Sequence, residues 1–267
     1  MLVAPFDAAD PVVGMVHLPP LPGSPRSDGD RAVVRERALR DARALAAAGV
    51  DGVLVENFGD APFHPDEVPK HVVASMTDAT RAVVDAVDVP VGVNVLRNDA
   101  PAAVSVAAAA GASFVRVNVH VGAHVTDQGV IEGRAHRTLR LRDRLDADVR
   151  VFADLDVKHA APLGPERDPA TALAETVERG LADGVLVTGA ESGAPVDPDR
   201  LRRIVDARDD RGLDVPVLVA SGVTPETAPD LLAVADGLVV GTAFERGGET
   251  GAPVEEERVR RLVNEVR

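Results

Sequence analysis

Short apolar runs of strand length alternate with longer amphipathic segments along the whole chain. The first run, Val12 to Val16, is continuously apolar, which is typical of a strand buried on both faces of a parallel sheet. A proline-rich loop over 18–25 follows it, and the next segment has helical spacing and ends at Gly49. The same unit recurs to the end of the chain. The predicted strands are 12–16, 51–55, 89–95, 113–119, 149–155, 184–187, 215–220 and 237–240, and the predicted helices are 30–48, 71–87, 99 or 101 to 110, 133–145, 169–179, 197–211, 225–234 and 254–266.

Eight strands alternating with eight helices, at 20 to 40 residues per unit, favour a TIM (β/α)8 barrel over an open doubly wound sheet. No G-x-G-x-x-G follows the first strand, so the usual signal of a dinucleotide-binding sheet is missing. A barrel of ordinary size needs about 250 residues. The 267 residues therefore predict a single barrel domain spanning 1–267, with a long loop between the fourth strand and Glu132.

Composition narrows the choice of partners. The net charge of −14 argues against nucleic acid, because nucleic-acid binders present basic surface to the phosphate backbone. The chain has no cysteine, no apolar run long enough for a membrane span and no basic-apolar leader, so a cytoplasmic protein is expected. Its 43 acidic residues, with only two lysines among the 29 basic ones, suggest adaptation to a high-salt cytoplasm.

Polar side chains gather where the predicted strands end, which is the face that carries the active site of a TIM barrel. Because only every second strand residue points into a barrel, Asn94, Asn118 and Asp154 are expected to face inward. The polar residues at strand ends are His17, Glu56, Asn57, Asn94, Asn118, His120, Asp154, Asp156, Lys158, His159, Thr188 and Ser221.

The last two strand-to-helix loops, ASGVTPET and VVGTAFERGG, have the composition of a phosphate site. In barrels that bind phosphorylated substrates, these loops donate backbone N–H groups to the anion, and glycine lets the backbone approach it closely. The residues predicted to bind phosphate are Ser221, Gly222, Gly241 and Thr242. Tight strand-to-helix turns alone would explain the same glycines.

Acid–base chemistry is predicted at neighbouring strand ends. His17 and Glu56 follow the first and second strands and suit a proton-transfer pair. Lys158 is a candidate nucleophile or proton donor, although the nearby Asp154 and Asp156 favour its charged form and an electrostatic role, and a surface salt bridge is the simplest alternative.

A metal site is the weaker interpretation of the histidines. His17, His120 and His124 could act with Glu56 and Asp154, but no H-E-x-x-H or other fixed ligand spacing is present. No metal and no cofactor are predicted, and a divalent metal stays an alternative. The arginine-rich stretch 134–144 is interpreted as a solvated helix face, with anion binding as the alternative.

Several segments together resemble one known family. They are GMVHLPPLPGSP, DGVLVENFGDAPF, VGVNVLRNDA, FVRVNVHVGAHVTDQGVIEGRAHRTLRLR, DVKHAAPL and SGVTPE, in order from residue 14 to 226. The chain resembles the BtpA family, also called BtpA/SgcQ, which is named for a role in photosystem I biogenesis and is similar to phosphate-binding TIM barrels. The resemblance implies site positions at His17, Glu56, Asn57, Asn94, Asn118, His120, Asp154 and Lys158.

Two functions from different classes follow. The first is an isomerase- or lyase-type enzyme acting on a small phosphorylated metabolite, with His17, Glu56, Asp154 and Lys158 catalytic. Its substrate-binding residues would be Asn57, Asn94, Asn118, His120 and Thr188. The second is a non-catalytic assembly factor of the photosystem type that binds a protein partner, which predicts exposed apolar patches. A homo-oligomer is open under either hypothesis.

Overall fold

The computed structural model describes residues 2–155, 157, 159–165, 167–189 and 194–267. Its strands in chain order are β1 (Val12–His17), β2 (Gly52–Glu56), β3 (Val91–Asn94), β4 (Phe114–Val117), β5 (Ala123–Thr126), β6 (Gly129–Glu132), β7 (Arg150–Asp154), β8 (Ala160–Pro162), β9 (Gly184–Val187), β10 (Val217–Val219) and β11 (Gly237–Val240). Strands β1, β2, β3, β4, β7, β9, β10 and β11 are parallel neighbours in that order, and β11 closes on β1. The predicted TIM barrel is confirmed.

Helices cover the outside of the barrel. They are α1 (Arg31–Ala47), α2 (Lys70–Val84), α3 (Ala100–Ala110), α4 (Ala135–Arg144), α5 (Pro169–Ala174), α6 (Pro198–Asp210), α7 (Ala228–Leu232) and α8 (Glu256–Glu265). Alanine-rich α3 is buried on most sides, with Asp99 capping its first turn and Gly111 ending it in the left-handed conformation. In the part of the chain that the structure describes, no helix is long and apolar enough to cross a membrane.

The structure departs from the predicted elements most clearly between β4 and α4. The segment expected to be a long loop forms the antiparallel strands β5 and β6, and β8 adds to the other edge of β5. A turn at 127–128 and the positive φ of Gly129 reverse the chain between β5 and β6. The result is a three-stranded sheet that stands beside the mouth of the barrel.

A repeated motif closes the amino-terminal face of the barrel. The sequences DGVLV, DGVLV and DGLVV begin one residue before β2, β9 and β11. In each, the aspartate carboxylate accepts a hydrogen bond of 2.8 Å from a backbone N–H of the preceding barrel strand. The pairs are Asp51 with Val12, Asp183 with Val151 and Asp236 with Val217. Part of the acidic composition therefore stabilises the barrel itself.

Aromatic rings fill the lower half of the barrel interior. Phe6, Phe114 and Phe152 stack edge to face or tilted, with ring centroids 5.1 to 5.9 Å apart. Gly92 and Gly184 leave room for these rings, because a Cβ at either position would overlap Phe114 or Phe152. The filled base leaves the carboxyl ends of the strands as the accessible end of the interior.

Candidate functional site

A cavity of about 950 Å³ opens at the carboxyl ends of the barrel strands. Its floor is the top of the barrel interior, where Met15, Ala220 and Val239 are buried. Many of the residues predicted from strand ends meet here. Those that line the cavity are His17, Glu56, Asn118, His159, Ser221, Gly222, Gly241 and Thr242.

His17 lies between two carboxylates. Its Nδ1 is 2.7 Å from Glu245 Oε1, and its Nε2 is 3.6 Å from Glu56 Oε1. Because an ionised carboxylate only accepts hydrogen bonds, the contact with Glu245 favours the tautomer with its proton on Nδ1, and Nε2 is the ring nitrogen that faces Glu56. The gap to Glu56 is too long for a direct hydrogen bond and suits relay through a bound group or water.

Both carboxylates are themselves held in place. Glu245 is 1% exposed, and its Oε2 accepts from the backbone N–H of Gly251 at 3.1 Å. The Asn94 amide donates to Glu56 Oε2 at 2.7 Å. The imidazole therefore has a fixed orientation relative to the cavity, as a proton-transfer group needs.

A buried ion pair forms the opposite part of the floor. Arg116 donates from Nε and Nη2 to the two oxygens of Asp154, each at 2.9 Å, and the Asn118 amide donates to the same carboxylate at 3.0 Å. Burial works to lower the pKa of Arg116, but the charge and hydrogen bonds of Asp154 outweigh it and the pKa is raised. Asp154, predicted to be catalytic, contacts Arg116 and Asn118 and is not among the residues that line the cavity, and its catalytic role stays a prediction.

The cavity wall is more basic than the protein as a whole. Among the described lining residues five arginines face only two glutamates, in a chain whose net charge is −14. Arg97 is almost fully buried, and this burial lowers its pKa despite the neighbouring Asp154 and Glu56. The lining arginines are Arg26, Arg97, Arg116, Arg258 and Arg261. Such a wall favours an anionic ligand.

The predicted phosphate loops lie directly beside His17. A Cβ on Gly241 would be 2.9 Å from His17 Cε1, so only glycine lets the loop backbone pass this close to the ring. Gly222 has a φ of 63°. The Thr242 hydroxyl pairs with Thr250 at 2.8 Å. The loops after β10 and β11 thus present small groups and backbone to the cavity.

The proline-rich loop forms one rim of the cavity. Leu18, Pro19 and Pro20 line it, and the loop is fastened where Leu21 N donates to Asp60 Oδ1 at 2.7 Å. Gly59 sits beneath the loop, where a Cβ would overlap the Pro19–Pro20 backbone. The restricted backbone angles of the prolines and these contacts hold the loop in a fixed conformation at the rim.

Other predicted site residues lie outside the cavity lining. Asn57 braces two loops, since its Oδ1 accepts from Leu96 N at 2.7 Å and its amide donates to Asp60 at 3.1 Å. His120 Nε2 is 2.8 Å from the Gly180 carbonyl among the outer helices, and Thr188 is buried at the end of β9. Lys158 and Asp156 lie outside the described residues.

Metal binding finds no support in the geometry. Within the described ranges, no group of three or more histidine, aspartate or glutamate side chains is placed to hold a metal ion. His124 lies on β5 in the three-stranded sheet, away from the residues that line the cavity.

The sequence prediction missed Glu245 and the five arginines that line the cavity. Arg116 could have been found, because it lies two residues before Asn118 and therefore shares its face of the barrel. Arg97 follows β3 in a loop, and Glu245 reaches His17 from 228 positions away in the sequence, so no local pattern marks either of them.

Comparison with known proteins shows the family of the chain and agrees with its fold. An uncharacterized protein of Thermococcus kodakarensis is 49% identical over 253 residues, covering 95% of this chain and 94% of that protein. The photosystem I biogenesis protein BtpA of Synechocystis is 44% identical over 254 residues, covering 95% and 87%. The crystal structure of phosphoribosyl anthranilate isomerase from Thermus thermophilus covers 96% of this chain and 98% of its own with a TM-score of 0.58, and at 14% identity it supports the fold alone. The BtpA family model matches residues 8–267, and the chain belongs to the BtpA family.

Proposed function

We propose that the protein is an enzyme that moves a proton on a small phosphorylated metabolite, in an isomerase- or lyase-type reaction. One observation carries the proposal: the Gly241 backbone of the candidate phosphate loop lies against the ring of His17, with 2.9 Å between a Gly241 Cβ position and Cε1. A phosphate held by Ser221, Gly222, Gly241 and Thr242 would place the attached carbon skeleton beside Nε2.

The roles follow from the contacts. His17 Nε2 removes or returns the proton, Glu245 keeps the ring in the required tautomer, and Glu56 receives or supplies the proton from 3.6 Å away. Arg116 and Arg97 face the same cavity and stabilise negative charge that develops on the substrate during proton removal. Solved structures with this fold include enzymes whose names specify phosphorylated substrates, which agrees with the proposal.

Solvent isotope exchange tests the proton-transfer step without knowledge of the product. The protein is incubated in heavy water with a panel of phosphorylated metabolites, and carbon-bound deuterium is detected by mass spectrometry. We expect exchange in at least one metabolite, its loss in His17→Gln, and its retention in the control His136→Gln, which changes an exposed histidine on α4. Absence of exchange with every member of a broad panel would count against the proposal.

Anion binding is tested separately with inorganic phosphate. Thr242→Glu places a carboxylate in the loop and should remove the thermal stabilisation by phosphate, whereas the control Thr171→Glu, at an exposed position of α5, should keep it. Equal stabilisation of both variants would show that phosphate binds elsewhere.

A second candidate function, a non-catalytic assembly factor, draws support from the three-stranded sheet. Val125 and Val130 face each other across β5 and β6 and are 44% and 52% exposed, and Leu163 just beyond β8 is 60% exposed. Expression in Synechocystis cells that lack their own photosystem I biogenesis protein separates the two functions. An assembly factor would work with His17→Gln and fail with Val130→Asp and Leu163→Asp combined, and an enzyme would show the reverse.

A further inference from the structure

The Asn118 side chain has a single chemically acceptable orientation. Its amide faces Asp154 Oδ2 at 3.0 Å, and the same carboxylate accepts both hydrogen bonds from Arg116. An ionised carboxylate has no proton to give, so the Asn118 Nδ2 must point at Asp154 and the amide cannot turn over. Asn118 Oδ1 is therefore an acceptor in a fixed position.

This acceptor has no hydrogen-bond donor among the described residues. Asn118 is 5% exposed and lines the cavity, and its Oδ1 is a buried oxygen without a partner there. A buried acceptor is costly to leave unpaired, so whatever occupies this part of the cavity must bring a donor. An ionised carboxylate and the dianion of a phosphate ester have no proton to donate and cannot serve, whereas hydroxyl and amine groups can.

The surroundings select between these two donors. Arg116 and Arg97 line the cavity near Asn118, and a ligand group at this place meets their positive charge as well as the amide oxygen. A hydroxyl donates to Asn118 Oδ1 and accepts from a guanidinium, whereas a protonated amine has only donors and cannot accept from one.

We propose that the cavity takes a polyhydroxylated phosphate ester, with its phosphate at the loops after β10 and β11 and a hydroxyl donating to Asn118 Oδ1. This substrate class rests on the proposed function. The two ends of the ligand lie on opposite sides of the barrel, because β11 is four strands from β4 in either direction, and β10 is three strands from it one way and five the other. One molecule can bridge the cavity only if its skeleton spans the mouth.

Barrel geometry limits the length of that skeleton. Strands about 4.8 Å apart and tilted by about 36° place opposite backbones of an eight-stranded barrel roughly 15 Å apart. A hydrogen bond at each end and the Asn118 side chain take up roughly 8 or 9 Å of this distance. The remainder fits an ester of about three to five carbon atoms between the phosphate and the terminal hydroxyl.

Matched ligands test the proposal by calorimetry on the whole protein. Ribose 5-phosphate is compared with pentyl phosphate, and glycerol 3-phosphate with propyl phosphate, so that each pair shares carbon number and phosphate. We expect the hydroxylated member of at least one pair to bind about tenfold more tightly or better. In Asn118→Leu the ratio should fall toward one while inorganic phosphate binds as before, and the exposed control Asn264→Leu should keep the ratio.

The outcomes separate the two proposals. Equal affinity within both pairs, with inorganic phosphate still bound, would overturn the hydroxyl site and leave the phosphate site standing. No binding of inorganic phosphate or of any ester would overturn the proposed function and this substrate class together. Because the ligand pairs are compared first on the unmodified protein, the result does not depend on the folding of Asn118→Leu.

Discussion

Removal of the carboxylate at the cavity floor should be among the most destabilising single substitutions in the protein. In Asp154→Ala, Arg116 loses two hydrogen bonds of 2.9 Å and the one carboxylate that contacts it among the described residues, while Asn118 loses the acceptor of its amide. The Arg116 side chain is 7% exposed, so water hydrates it far less than an exposed guanidinium once these partners are lost. An uncompensated buried charge of this kind typically costs about 3 to 5 kcal/mol of unfolding free energy.

An exposed pair on α2 provides the matched control. Arg81 and Asp85 are one helical turn apart, and their side chains are 56% and 55% exposed. Pairs of this type contribute only about 0.3 to 0.5 kcal/mol, and salt screens them. Urea unfolding of Asp154→Ala and Asp85→Ala, each at low and high salt, should therefore show a large salt-insensitive loss in the first and a small salt-dependent loss in the second.

A double variant separates the cost of leaving Arg116 unpaired from the net contribution of the ion pair to stability. Arg116→Met combined with Asp154→Leu replaces the pair with apolar side chains and should recover most of the loss, because replacing a buried pair is often neutral. Asn118 still loses its acceptor, so recovery should be incomplete. If Asp154→Ala unfolds at the same urea concentration as Asp85→Ala, the ion pair does not exist as the structure shows it.

Four further predictions concern the site and its surroundings. Gly241→Ala should cost about 1 to 3 kcal/mol of unfolding free energy, because its Cβ would lie 2.9 Å from His17 Cε1 and Glu245 prevents the ring from moving away. It should also remove the thermal stabilisation by phosphate, and an unchanged shift of the melting temperature with phosphate would contradict this. Glu245→Leu should leave both tautomers of the His17 ring populated, which nitrogen NMR of the imidazole detects, and a single tautomer in that variant would show that Glu245 does not set it. Burial lowers the pKa of His120 below the ordinary 6.5, so the unfolded chain binds the proton more readily and stability should fall as pH drops through 6.5. His120→Gln can still donate to the Gly180 carbonyl and should show a weaker pH dependence of the urea midpoint. An identical pH dependence would refute the assignment to His120. The melting temperature should rise between dilute and molar salt because screening reduces self-repulsion at a net charge of −14, and equal values would reject the high-salt interpretation.

The barrel could be predicted because its strands carry their own local signal. Runs such as Val12 to Val16 are apolar throughout, since helices cover one face and the barrel interior the other. The three-stranded sheet carried no such signal. Strand β8 is only three residues long, and it pairs with β5 from more than 30 positions away, so its formation depends on where the finished barrel places both loops.

The residues of the site likewise fall into those that a local sequence pattern predicts and those that it does not. Strand ends are predictable from the alternation of apolar and polar residues, and His17, Glu56 and Asn118 do meet in one cavity. Asn57 occupies a similar place in the sequence, but its amide pairs with Asp60 and the backbone of Leu96 and braces the loops. One residue past a strand, the direction of a side chain is decided by the turn that follows and no longer by the pleat.

Charge is the property for which sequence averages and local structure differ most. The net charge of −14 describes a surface that repels anions at long range, yet five arginines gather around the one cavity that adjoins His17. At an ionic strength of about 1 M the Debye length is only about 3 Å, so the distant acidic surface is screened, while guanidinium groups in contact with a ligand are not. The acidic surface and an anion site are therefore compatible, and most of all at the high salt concentration that the composition suggests.

Part of the acidity also has a structural use, because Asp51, Asp183 and Asp236 each cap a barrel strand on the face opposite the cavity. The fold thus holds these three structural carboxylates at the amino-terminal end of the barrel, each paired there with an arginine, and leaves five arginines around the cavity at the other end, which gives an acidic protein a basic mouth.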